Sequence, residues 1–183
     1  MVALAAAIGG CRHKAKTPAE GYKRLAAAVT AGNAGALYDA LDQETRWNWM
    51  SIQKFHREAY DIVLSNYPEG EIRERETRRF EHAATAPSAR ELFVADEAPA
   101  LLQTLRPLVV AGAPIEVGAF DDTAAAVALS GARVELKRSA DGDWGYGGIA
   151  KRAEEDKNRA WHDLESVRAS AADFERAAAR AGK

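Results

Sequence analysis

The hydrophobic rhythm of the chain switches once and then switches back, and this constrains its architecture more than any other feature. Ahead of Gly112, apolar residues recur every three or four positions. From Pro114 they move toward alternation, as in "RVELK", where Val134 and Leu136 face one way and Arg133, Glu135 and Lys137 the other. "IEVGAF" and "TAAAVALS" are apolar and β-compatible, "WGYGGI" ends the series, and Asp121-Asp122, Ser130-Gly131 and "SADGD" punctuate it as turns. Further on the helical rhythm returns: Ala160, Leu164, Val167, Ala171, Phe174 and Ala178 are spaced 4, 3, 4, 3 and 4 apart. The order predicts an α+β fold: N-terminal helices, then a four-stranded antiparallel meander, then a long C-terminal helix.

The helical part carries its own punctuation. Thr17 reads as an N-cap, Pro18 as the first helical residue and Glu20 as the capping-box partner; Tyr22, Leu25, Ala26 and Val29 form the apolar face and Gly32 the stop. Asn33 caps a second, shorter helix with Leu37 and Leu41 on one face, so the two make a hairpin. In the aromatic-rich stretch that follows, Ile52, Phe55, Ala59 and Val63 predict a buried stripe on a central helix, widened by Trp47, Trp49, Met50 and Tyr60. Pro68 stops this helix or opens its successor, in which Glu69, Glu71 and Glu74 precede Arg73, Arg75 and Arg78 by four residues each. Mixed signs of this kind describe a solvated face rather than a surface for a charged partner. Ser88 and Glu91 suggest a further capping box, and Pro107 and Gly112 are expected to break the last helix of the series. Gly145 and Gly147 clear one side of the final strand, as for a packed helix.

Length and charge bound the function classes. The 183 residues fit one domain, and 47% hydrophobic with 28% charged residues is an ordinary globular balance. A formal charge of −2 supplies no basic excess for a phosphate backbone, so nucleic acid is not an expected partner. His13, His56, His82 and His162 are scattered with no two at i, i+4 spacing, and Cys11 is the sole cysteine, so neither a metal site nor an internal disulfide is predicted. No Walker loop, dinucleotide fingerprint or Gly-x-Ser-x-Gly elbow is present, so no cofactor is predicted.

Two groups of residues are candidates for a site. His56 lies one turn before Tyr60 and two turns after Trp49; with Trp47 these residues define a candidate pocket in which an imidazole could move protons, as a small isomerase or dehydratase requires. The aromatics are more often core residues than a ligand platform, and His56, beside Lys54, Arg57 and Glu58, reads as a surface histidine. Leu164, Val167 and Phe174 on the C-terminal seam are a candidate interface for self-association, the other reading being close packing against a neighbour in the same domain.

At the start of the chain, "VALAAAI" is an apolar run of signal-peptide length that gives way to Gly9, Gly10, Cys11 and then the basic Arg12 and Lys14. Ile8-Gly9-Gly10-Cys11 resembles the lipobox of bacterial lipoproteins, though no Lys or Arg precedes it. The resemblance implies cleavage before Cys11, lipid attachment at its thiol, and a protein held to a membrane of the bacterial cell envelope without spanning it. Residues 1–10 are then a signal-peptide remnant, 11–16 a lipidated tether and 17–183 a single α+β domain. Residues 17–46, "TPAEGYKRLAAAVTAGNAGALYDALDQETR", look like the opening hairpin of the nuclear transport factor two-like superfamily, a cone-shaped α+β fold. That likeness implies a sheet wrapped round a pocket, used for binding or for isomerase and dehydratase chemistry. Without a recognisable catalytic set, the expected role is binding or scaffolding.

Overall fold

A computed structural model describes residues 14–110, 114–128 and 133–181. Helix α1 runs Pro18–Thr30, with the Thr17 hydroxyl accepting the Glu20 amide at 3.2 Å. The return bond of the expected capping box goes one residue further out: the Glu20 carboxylate accepts the Lys16 amide, at 2.6 Å. Gly32, at φ +60, turns the chain, and the Asn33 side chain caps α2 (Ala34–Ala40) through the Ala36 amide at 2.9 Å. Asp42 caps α3 (Gln43–Asn66) by accepting both the amide and the hydroxyl of Thr45.

Pro68 stops α3 rather than opening the next helix. The residue before a proline is pushed out of helical conformation, and Tyr67 is extended at ψ 139. Helix α4 begins only at Glu71 and ends at Thr85; α5 (Ala89–Asp96) is capped by Ser88, and α6 spans Ala98–Val110. Pro107 does not break α6, contrary to expectation. A proline inside a helix costs about 3 kcal/mol, whereas each buried apolar side chain contributes about 1.5–3 kcal/mol. Leu101, Leu105 and Val109 are all buried along one face of α6, so packing outweighs the proline. Gly112 lies outside the described residues, as does the Ser130-Gly131 turn.

Strands β1 (Pro114–Phe120), β2 (Thr123–Ala128), β3 (Arg133–Arg138) and β4 (Trp144–Tyr146) form one antiparallel sheet in sequence order. Val134 and Leu136 are buried while Arg133 and Glu135 are exposed, as alternation requires. The side cleared by Gly145 receives no helix. A Cβ there would meet the backbone of Leu41 and Asp42 at 2.4–2.5 Å, so the α2–α3 junction fills the space. Asp42 donates its amide to the Tyr146 carbonyl at 3.0 Å, fastening the helices to the last strand.

The expected tether proves partly folded. Ala15 is buried, its amide donates to Asp143 Oδ1 at 2.8 Å, and its carbonyl accepts the Trp144 amide at 2.9 Å. Lys14 pairs with Asp141 at 2.9 Å. Residues 14–16 thus form a strap along β4 and belong to the domain, because a chain that lends backbone bonds to a sheet edge is no longer free linker. Residues 1–10 and Cys11 lie outside the described residues.

Helix α7 (Ala150–Ala181) starts ten residues before the first seam residue, Ala160, and, at 1.5 Å per residue, is about 48 Å long. It runs parallel to α3: Phe55 meets Trp161, Tyr67 meets Phe174, and Asn66 donates to Glu175 at 2.8 Å. Helix α4 returns antiparallel to α3, held by Arg57 on the Ala84 carbonyl and Arg73 on the Leu64 carbonyl. Two apolar clusters result. One joins α1, α2, α5, α6, the sheet and the first half of α3; the other joins Ala59, Val63 and Tyr67 to Phe80, Leu164, Val167 and Ala171. The predicted α3 stripe holds at Trp49, Ile52, Ala59 and Val63, but Trp47 and Met50 are 57% and 55% exposed. The reason is angular: Trp47 lies five residues, or about 140°, round the helix from Ile52. On α4, Glu74 and Arg78 form an expected i, i+4 pair, at 3.9 Å, whereas Arg75 turns to Glu76 instead.

Candidate functional site

Trp49 and His56 are seven residues apart and therefore share a face of α3. Both line a cleft of about 320 Å³ bounded by α3, α4, α5 and α7. Its floor is apolar, made by Trp49, Ile52, Ala83, Leu92 and Ala160, and its rim carries Asp96, Glu97, Asp156, Arg159 and Asp163. The rim is internally compensated. His82 Nε2 lies 2.6 Å from Asp96, Arg159 is 3.2 Å from Asp156, Arg152 pairs with Glu97, and Arg79 pairs with Asp163. Each rim carboxylate thus has a basic partner, and the rim is not an open acidic patch.

The floor is less well satisfied. Trp49 Nε1 and His56 Nδ1 are both buried and have no hydrogen-bond partner within the protein, and the same holds for Asn48 Nδ2 one residue before Trp49. An unpaired buried polar group costs about 1–3 kcal/mol, so two of the residues that line this cleft carry a polar atom that the protein itself leaves unsatisfied. The His56 ring leans on Phe80 at 5.8 Å, and burial is the main cause that lowers its pKa from the ordinary value; Arg79 pushes the same way, while Asp163 and Asp96 oppose it. Burial accordingly favours the neutral form of the His56 imidazole. Its ring can accept or donate one hydrogen bond, which suits recognition of a ligand and equally suits proton transfer.

The other predicted residues go elsewhere. Tyr60 is half-buried against the second apolar cluster, and Trp47 stands on the outer face of α3, so neither joins Trp49 and His56. On α7, Leu164 and Val167 are buried among Ala59, Val63 and Phe80, and Phe174 packs edge-on to Tyr67 at 4.9 Å; the seam is occupied within the chain. The cleft is lined by helices, not by the sheet that the cone-shaped superfamily would wrap round its pocket. Among the described residues no group of three or more His, Cys, Asp or Glu could hold a metal ion, and no helix is long and apolar enough to cross a membrane.

Sequence reasoning missed the rim. A signal for part of it exists: Asp156, Ala160 and Asp163 fall at i, i+4 and i+7, which sets two carboxylates on either side of a buried seam alanine. Asp96 and Glu97 carry no such signal, because they reach the cleft through the packing of α5 against α3. No protein-family model matches the chain, and no curated protein and no solved structure resembles it at a significant level.

Proposed function

We propose that this chain is a lipid-anchored protein of the bacterial cell envelope that binds a small, partly polar ligand in the helical cleft. The observation that carries the binding role is the convergence of Trp49 and His56, each with an unpartnered ring nitrogen, on one cleft with an apolar floor. Its volume falls at the lower end of the roughly 300–1,000 Å³ usual for ligand sites. What supports the anchor is Ile8-Gly9-Gly10-Cys11, followed within three residues by Lys14, which is already paired to the fold.

The binding role is tested by following the Trp49 indole N–H resonance, assigned with Trp49→Phe, through a fragment library of amines, carboxylic acids and sugars. Binders are expected to move that resonance together with the His56 ring. Hits that move neither, with all shifts elsewhere, refute the assignment. The anchor is tested by metabolic labelling with a clickable fatty acid, expected on the wild type and lost in Cys11→Ser. A second reading, an isomerase or dehydratase using His56, is favoured by the neutral, unpartnered imidazole. It requires that a cleft ligand be chemically altered by the wild type, and that His56→Gln bind it without altering it.

A further inference from the structure

Among the described residues, five large apolar side chains stand exposed: Trp47, Met50, Leu64, Ile72 and Trp161. Trp161 is partly covered, with Phe55 at 5.2 Å and the Arg168 guanidinium 5.6 Å from its ring. Leu64 and Ile72 sit near the far end of α3, beside the turn into α4. Trp47 and Met50 differ from both. They lie one turn apart on the first half of α3, 57% and 55% exposed, on the face turned away from the core. Arg46 adjoins Trp47, and Lys54 follows two turns later on the same face; the nearby carboxylate of Glu44 is already 3.7 Å from Lys137. An exposed indole beside a flexible thioether, flanked by cations, is a combination suited to the boundary between lipid and water.

The strap brings this patch close to the proposed anchor. Cys11 is three residues ahead of Lys14, a reach of at most about 11 Å. The strap meets β4 at Trp144 and the start of α3 meets it at Tyr146, two residues or about 7 Å further along. Trp47 is five residues beyond Asp42, about 7.5 Å of helix. With the Lys14–Ala15 step and the two crossings between neighbouring chains of about 5 Å each, the path from Cys11 to Trp47 is at most about 40 Å, short enough that an anchor at Cys11 keeps the patch at high effective concentration above the bilayer.

We propose that Trp47 and Met50 are a second bilayer contact of the anchored domain, resting in the interface while Arg46 and Lys54 meet anionic headgroups. This rests on the anchored reading of Cys11. The test uses the full-length acylated protein in vesicles of phosphatidylethanolamine and phosphatidylglycerol, with plain or brominated acyl chains, bromine being a contact quencher of indole fluorescence. Trp49 and Trp144 are 7% and 5% exposed, so quenching reports on Trp47 and Trp161, which lie on different helices. Trp47→Phe, a change on an exposed surface, is expected to abolish most of the quenching, and Trp161→Phe to leave it. Quenching unchanged in Trp47→Phe, or lost in Trp161→Phe, overturns the proposal. So does a dimer in sedimentation that Trp47→Asp dissolves, since a second copy would then cover the patch. Fatty-acid label on Cys11 without quenching of Trp47 sinks the patch and spares the anchor; no label on Cys11 sinks the anchor and, with it, the patch as a second contact.

Discussion

Asp143→Ala should cut the strap from the fold and cost more than most surface changes. The Asp143 side chain is 5% exposed and accepts from both terminal guanidinium nitrogens of Arg24, at 2.9 and 3.3 Å, as well as from the Ala15 amide at 2.8 Å. Removing one partner of a buried ion pair costs about 3–5 kcal/mol. Arg24 is 19% exposed and keeps its 2.6 Å bond to the Trp144 carbonyl, so the lower end of that range applies here. Leaving the Ala15 amide buried without its acceptor adds about 1–3 kcal/mol. The sum is about 4–6 kcal/mol, which at roughly 2 kcal/mol per molar moves the urea midpoint down by about 2–3 M. Hydrogen exchange supplies the local readout: the Ala15 amide, protected in the wild type, should exchange as in an open chain. A midpoint shift under about 0.5 M, with Ala15 still protected, refutes the claim that the strap is fastened through Asp143.

Gly145→Ala should destabilise by about 3 kcal/mol or more, since a Cβ would fall 2.4 Å from the Asp42 nitrogen and 2.5 Å from the Leu41 backbone; chemical denaturation measures it. Leu164 is fully buried against α3, so Leu164→Ala should lose about 2–5 kcal/mol in the same assay and Leu164→Asp should unfold the bundle; an unchanged melting curve for Leu164→Asp would show that α7 packs otherwise. His56 has a folded pKa below its ordinary 6.5, so the unfolded chain binds the proton more readily. Its contribution to stability is complete above pH 6.5 and is lost as pH falls through the folded value. Thermal melts across that window should drop more steeply for the wild type than for His56→Gln; parallel curves would contradict the burial of the imidazole.

The parts of the fold legible in the sequence are those set by local chemistry. Thr17, Asn33 and Ser88 cap their helices because each hydroxyl or amide oxygen reaches an amide only three residues away, and Val134 and Leu136 turn inward because strand geometry alternates. What escaped depends on partners remote in sequence. Asp143 reads as one more turn residue until Arg24, 119 positions earlier, is seen to close on it. Pro107 reads as a breaker until the burial of Leu101, Leu105 and Val109 is weighed against it. In the cleft, the seven-residue spacing of Trp49 and His56 is legible in the sequence, whereas Trp47, equally aromatic, goes to the outer face because its angle on the helix, not its aromatic character, decides its side. Tyr60, one turn beyond His56, goes to a different cluster for the reason that α3 spans two cores and changes neighbours midway.

The proposed envelope location and the proposed Trp47 contact both depend on the fate of Cys11, since each requires a lipid at the start of the strap. The intact mass of the protein extracted from bacterial membranes tests it most directly. The predicted species begins at Cys11, carries a diacylglyceryl thioether and partitions with the membrane. Recovery of the protein from the soluble fraction with Met1 attached and the Cys11 thiol free would contradict it.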